Sequence, residues 1–207
     1  MCILADQKTK LVGMVKNSET EIKDEILEEA QKLFRQFGLK KTTMDEIATA
    51  CGKAKSTLYH YFKSKEEVFD EVLSKELTDL RTQVRSKVVE NKTVVKKMGA
   101  YVFEFHQQVK EKANLYRLIK FEPSGNVSYH KHYLSMMKFE QDYISRILAD
   151  GIDGGELPHI SKDDIEWLAE FFCSSFLGFV RHSIEKDGFI EDEKLKKAID
   201  LFIPRMF

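Results

Sequence analysis

From Gly52 to Phe69 the chain reads GKAKSTLYHYFKSKEEVF, and Lys55, Ser56, Thr57, Tyr59, His60 and Tyr61 crowd around a single aliphatic residue, Leu58. A helix made for a core surrounds its rings with aliphatic neighbours, whereas this one sets hydroxyls, an imidazole and an ammonium beside them. These groups share the ability to hydrogen-bond phosphate oxygens and base edges. The chemistry they suggest is recognition of a polyanion by an outward face. Tyr59 and Tyr61 also have a plainer use, as packing residues whose hydroxyls reach water.

Bond-making chemistry finds less support. His130 and His132 stand two apart, so on a helix they diverge and make a poor metal pair. The one Glu-x-x-His spacing, Glu156 to His159, has Gly155 before it and Pro158 inside it, so no helix presents both side chains together. No GxGxxG, GxxxxGK[ST] or GxSxG occurs. The expectation is no enzyme, no catalytic residue, no metal and no cofactor.

The elements that must position the polar cluster carry dense helix-start signals. Ser18 with Glu21, Thr43 with Glu46, and Ser64 with Glu67 each have the S/T-x-x-E spacing in which hydroxyl and carboxylate cap exposed amides reciprocally. Ile22, Ile26, Ala30, Leu33 and Phe37 keep helical spacing up to Gly38, which ends that helix. Met44, Ile47, Ala48 and Cys51 make a second, two-turn helix closed by Gly52. A third runs from about Lys55 to Phe62, with Leu58, Tyr61 and Phe62 available to pack inward. Ser64 then caps a long fourth helix through Val68, Val72, Leu77, Leu80, Val84 and Val88. A small residue at a close helix approach, a glycine in the turn and an aliphatic anchor in the next helix, here Ala48, Gly52 and Leu58, are the parts of a helix-turn-helix. Thr43 then stands at a helix start, where free amides favour a phosphate.

Composition and charge bound the rest. The 207 residues are 43% hydrophobic and 32% charged, with only three prolines, which leaves nearly the whole chain free to be helical. The formal net charge is −1, yet residues 32–65 hold eight bases against two acids, a local +6 that leaves about −7 for the remainder. Such an island is the footprint of polyanion binding, although charge runs also serve as solvated faces. Cys2, Cys51 and Cys173 are odd in number and scattered, which fits a reducing cytoplasm. The N-terminus, with Asp6, Lys8, Lys10 and Lys16 among short apolar runs, lacks the apolar core of a signal peptide or membrane span. It reads as a loose tail over residues 1–19, with Met14 an alternative start.

Residues TTMDEIATACGKAKSTLYHYFKSKEEVF resemble the DNA-binding domain of tetracycline-repressor (TetR) type regulators, most specifically in LYHYFKSKEE. The turn DGIDGGEL is similar to one that many members carry before their dimerisation helices. The resemblance implies an all-α chain. A helix-turn-helix head over residues 20–70 would be joined by a long helix to a ligand-binding and dimerisation bundle over residues 71–207. It implies a homodimer on palindromic double-stranded operator DNA, a small-molecule effector, no membrane, and action as a repressor. By position it assigns Thr43, Thr57 and Lys65 to phosphates, Lys55 and Ser56 to bases or backbone, Tyr59 to thymine methyls or phosphate, and His60 and Tyr61 to the DNA backbone. Lys53 and Ala54 depart from the pattern, standing where relatives carry an aliphatic residue and a capping serine.

In the second half, helices are expected over about 93–112, 114–121, 127–150, 162–187 and 191–203, with turns at 122–126, 150–158 and 186–188. The resemblance makes Tyr101, Phe105, His106, Tyr116, Tyr133, Met137, Trp167 and Phe171 candidates for a ligand pocket. Aromatic and Met residues at helical spacing equally suit an ordinary core. Phe172, Phe176, Val180, Leu195, Ile199 and Phe202 are candidates for a four-helix dimer interface, or for packing within one chain. The alternative function, from another class, is a helical small-molecule sequestering protein whose head no longer reads DNA.

Overall fold

The computed structural model describes residues 3–112, 127–186 and 188–207, and the side chains of 19–112, 134–186 and 188–207. Among them are eight α-helices and no strand: α1 Ile3–Lys41, α2 Met44–Ala50, α3 Lys55–Tyr61, α4 Lys65–Val88, α5 Val94–Glu111, α6 Val127–Asp153, α7 Ile165–Glu185 and α8 Asp192–Met206. A 3-10 turn, Lys162–Asp164, leads into α7. The chain divides into two compact units, one ending at Ser74 and the other beginning at Lys75. The expected helix near 114–121 and turn at 122–126 lie outside the described residues.

In the first unit α1 buries Ile26 and Ala30 as expected, adds Leu27, and toward its end buries Phe34 in place of Phe37, which is 47% exposed. The register is set by Phe69 of α4, whose ring meets Phe34 edge-on at 5.2 Å. Gly38 interrupts α1 with φ 82°, a conformation glycine adopts without steric cost. Upstream, the backbone is already helical from Ile3, where a loose tail is expected, and it passes Ser18 without a break. No proline opposes that helix, and the single Gly13 costs it only about 1 kcal/mol.

Thr43 starts α2 as the spacing predicts: its hydroxyl accepts from the Glu46 amide at 3.2 Å, and the Glu46 carboxylate accepts from the Thr43 amide at 2.8 Å. Its end is closed by a paired motif, in which the Lys53 amide donates to the Ala48 carbonyl at 3.0 Å and the Gly52 amide to that of Thr49 at 3.1 Å. That closure needs a left-handed residue, and Gly52 supplies it with φ 62°. Ser64 caps α4 through the Glu67 amide at 3.2 Å.

In the second unit the most extensive helix packing is of α6 on α7 and of α5 on α8. Tyr101, Phe105, Phe172 and Phe176 form its ring-rich centre. The turn after α6 is held by two features. A Cβ on Gly151 would lie 2.2 Å from a methyl of Val94, so only glycine lets α5 start so close. The Glu156 carboxylate accepts from the Val94 amide at 2.9 Å and caps α5, a use that the Glu-x-x-His spacing did not reveal. Near the C-terminus α8 continues through Pro204, where the sequence suggests a stop at 203.

Candidate nucleic-acid interface

Only Leu58 within α3 is buried, joined by Phe62 at the helix end, with exposures of 0% and 1%. Burying two such side chains contributes on the order of 3–6 kcal/mol, enough to seat a helix of under two turns. The opposite face is open: Lys55, Ser56 and His60 are exposed, Tyr59 is 47% exposed, and Thr57 and Tyr61 are half-buried. The His60 and Tyr61 rings meet edge-on at 5.2 Å. The candidates on α3 therefore share one helix, with rings and donors presented together. The N-cap of α3 is Ala54, which offers no side-chain hydrogen bond, as its identity predicts. Lys53 instead ties the turn to α1 through Glu25 at 3.0 Å.

Three cations and hydroxyls are already engaged. The Thr43 hydroxyl donates to Glu46 at 2.9 Å, so a phosphate would have to displace that bond. Lys65 spends its ammonium inside the unit, donating to the carbonyls of Leu39 at 2.9 Å, Lys40 at 3.3 Å and Thr42 at 3.1 Å. These carbonyls belong to the junction between α1 and α2, so Lys65 ties α4 to that junction. The Lys55 ammonium lies 2.7 Å from an Asp45 oxygen and 6.0 Å from the Tyr59 ring centre. The hydrogen bond and charge of Asp45 raise the Lys55 pKa, so it stays cationic. Sequence periodicity could reveal neither Asp45 nor the carbonyl cluster, because both pairings bridge separate helices.

The second-unit candidates separate differently from expectation. Tyr101, Phe105 and His106 are fully buried, Met137 is half-buried, and Trp167 and Phe171 are 55% and 57% exposed. Tyr116 lies outside the described residues, as does the side chain of Tyr133. Tyr101 donates to Glu140 at 3.0 Å, and the same carboxylate takes Arg81 at 3.2 Å. Burial, then the Glu140 charge, drives the Tyr101 pKa well above its usual value. His106 sits between the rings of Phe179 at 6.3 Å and Phe189 at 5.3 Å, and neither of its nitrogens has a hydrogen-bond partner. Burial lowers its pKa, the Lys110 charge adds to that, and Asp192 opposes it.

Of the candidates for contact between chains, Phe172, Phe176, Val180 and Leu195 are buried in their own chain, Ile199 is half-buried, and Phe202 is 66% exposed. The outer face of α7 is made instead by Trp167, Phe171, Ser174, Ser175, Gly178 and Phe179. Trp167 and Phe171, expected at a pocket, thus face out of this chain, and Phe172 and Phe176, expected at an interface, face into it. An apolar pattern around most of α7 gave periodicity no means of choosing the inner face. The buried thiols of Cys51 and Cys173 are pushed up to about 11 and about 12, chiefly by burial, which makes them weak nucleophiles. No helix among the described residues is long and apolar enough to cross a membrane.

Residues 26–72 match the model of a family described as bacterial regulatory proteins, tetR family. The chain is 48% identical over 56 residues to the uncharacterized HTH-type transcriptional regulator YhgD of Bacillus subtilis (strain 168), covering 27% of this chain and 29% of that protein. Against YfiR, another uncharacterized HTH-type transcriptional regulator of the same organism, it is 25% identical over 167 residues, 79% of this chain and 80% of that one. Among solved structures, that of AibR in complex with isovaleryl coenzyme A and operator DNA aligns with a TM-score of 0.61 at 23% identity, covering 88% of this chain and 98% of that chain. With the outward polar face of α3 set on a capped helix-turn-helix inside the matched segment, residues 26–72 carry the helix-turn-helix segment of the tetR family.

Proposed function

We propose that the protein is a cytoplasmic, homodimeric repressor that binds a palindromic operator and releases it when a small molecule occupies the second unit. The carrying observation is the face of α3, where Lys55, Ser56, Tyr59 and His60 are open to solvent while Leu58 and Phe62 hold the helix from behind. In a dimer two such helices would enter major grooves about 34–36 Å apart or a multiple of that. The outer face of α7, with Trp167, Phe171 and Phe179 around Ser174, Ser175 and Gly178, supports dimerisation, since large rings beside small residues allow close helix approach. Within the second unit, the unpartnered nitrogens of His106 are the polar handle we assign to the effector, with the surrounding rings giving apolar contact. AibR suggests acyl-coenzyme A thioesters as the first effectors to try. Because linkage is reciprocal, an effector that weakens DNA binding must itself bind less tightly to the operator complex.

The test is selection of random duplex DNA on the purified chain, followed by titration of the enriched sequence with and without isovaleryl coenzyme A. A palindromic winner is expected, and no enrichment would remove the reading. Trp167→Glu should convert the dimer to monomer in sedimentation; an unchanged dimer would remove the α7 face from the interface.

A further inference from the structure

Resting on the operator-binding reading, we propose that Asp45 is a specificity-determining residue: its carboxylate steers the Lys55 ammonium toward base edges and away from phosphates. Asp45 stands in the first turn of α2, which is fixed by the buried Met44, Ile47 and Ala48 and by the cap at Thr43. Its backbone position is therefore set by the fold, while the side chains of Asp45 and Lys55 are both more than half exposed. Across the turn its two carboxylate oxygens lie 2.7 Å and 3.0 Å from the Lys55 nitrogen, which also lies 6.0 Å from the Tyr59 ring centre. The ammonium is held over the reading face between an anion and an aromatic surface.

An ammonium has three hydrogens, and this pairing leaves others free. Guanine offers two neighbouring acceptors, O6 and N7, and carries no charge to repel the carboxylate. A phosphate oxygen reaching the same ammonium would bring a second anion beside Asp45, which like-charge repulsion opposes. Asp45 thus holds down the sequence-independent part of Lys55's attraction while leaving its base contact open. Sequence-independent binding rests almost wholly on phosphate contacts, so the carboxylate sharpens the preference for the operator. Of the nearby lysines, Lys53 is bound to Glu25 and Lys65 to three carbonyls, and Lys55 is the lysine within α3 itself.

The experiment uses the full chain, the duplex enriched by selection and a scrambled duplex of equal length, over a series of salt concentrations. For Asp45→Asn we expect tighter binding to the scrambled duplex, with a salt slope steeper by about 0.9, the signature of one more phosphate contact. Preference for the enriched duplex should fall about tenfold, concentrated at one guanine. In a Lys55→Ala background the same Asp45→Asn change should leave both quantities still, and Lys55→Ala alone should erase the preference at that guanine. Unchanged preference and slope in Asp45→Asn would overturn the proposal, as would a change that persists without Lys55. A wild-type chain that enriches no sequence would fail before any variant is compared, and that outcome would overturn the operator reading itself.

Discussion

The two units handle polar groups in opposite ways. In the first, polar side chains either face water or close a turn: the Thr42 hydroxyl donates to the Gly38 carbonyl at 2.8 Å, and Lys65 gathers three carbonyls of the same junction. In the second, Glu140 and His106 lie in the core, one bonded to Tyr101 and Arg81 and the other bonded to nothing. A buried polar group without a partner costs about 1–3 kcal/mol, so its presence is a departure from the best-packed core. The head is built to hold one shape and show a fixed surface; the second unit retains internal polarity that something else can use.

Four measurements sharpen or break that contrast. Glu140→Ala leaves Arg81 without its carboxylate in a nearly dry setting, and a loss of about 3–5 kcal/mol in urea unfolding is expected. A loss under 1 kcal/mol would mean that the interior pair is dispensable. Lys65→Met removes a charged donor from three carbonyls and should cost about 1.5–3 kcal/mol in the same assay, with operator affinity falling because α2 loosens. If stability holds while the salt slope drops by about 0.9, Lys65 is a phosphate contact instead. Tyr59→Ala should leave the melting temperature within a few degrees of wild type and weaken operator binding at least about tenfold, since its ring is largely outside the core. Intact binding by the folded variant would remove Tyr59 from the interface.

The smallest effect concerns pH. Burial depresses the His106 pKa, so the unfolded chain takes up the proton more readily. The stability tied to His106 is full above the ordinary histidine value of 6.5 and is lost as pH falls below it. His106→Phe should flatten that part of the profile and abolish the effector response, while keeping neutral-pH stability at or above wild type. An unaltered effector response would dissociate His106 from the ligand.

Local chemistry was readable in the sequence. The Thr43–Glu46 cap, the left-handed Gly52, the missing cap at Ala54 and the anchors Leu58 and Phe62 each depend on residues within a few positions of one another. What escaped depends on partners far along the chain. Phe69 decides that Phe34 rather than Phe37 faces the core, and the packing of α5 and α6 on α7 decides that Phe172 rather than Phe171 does. For the candidate site, the outward face of α3 followed from its own residues. The Asp45 carboxylate beside Lys55 arises only once the turn brings α2 and α3 together.

The bond from the Val94 amide to Glu156 spans 62 residues of sequence. Its closure requires the whole of α6 to fold back first, and a loop of that length is entropically slow to close. The head's caps at Thr43, Gly52 and Ser64 join residues within five positions of one another, so these turns can form on the time scale of local helix growth. The nascent chain should accordingly acquire a structured head before the second unit locks, with the Val94 amide among the last to gain protection in pulsed hydrogen exchange during refolding. Protection at Val94 as early as at Leu58 would show instead that the two units fold in one step.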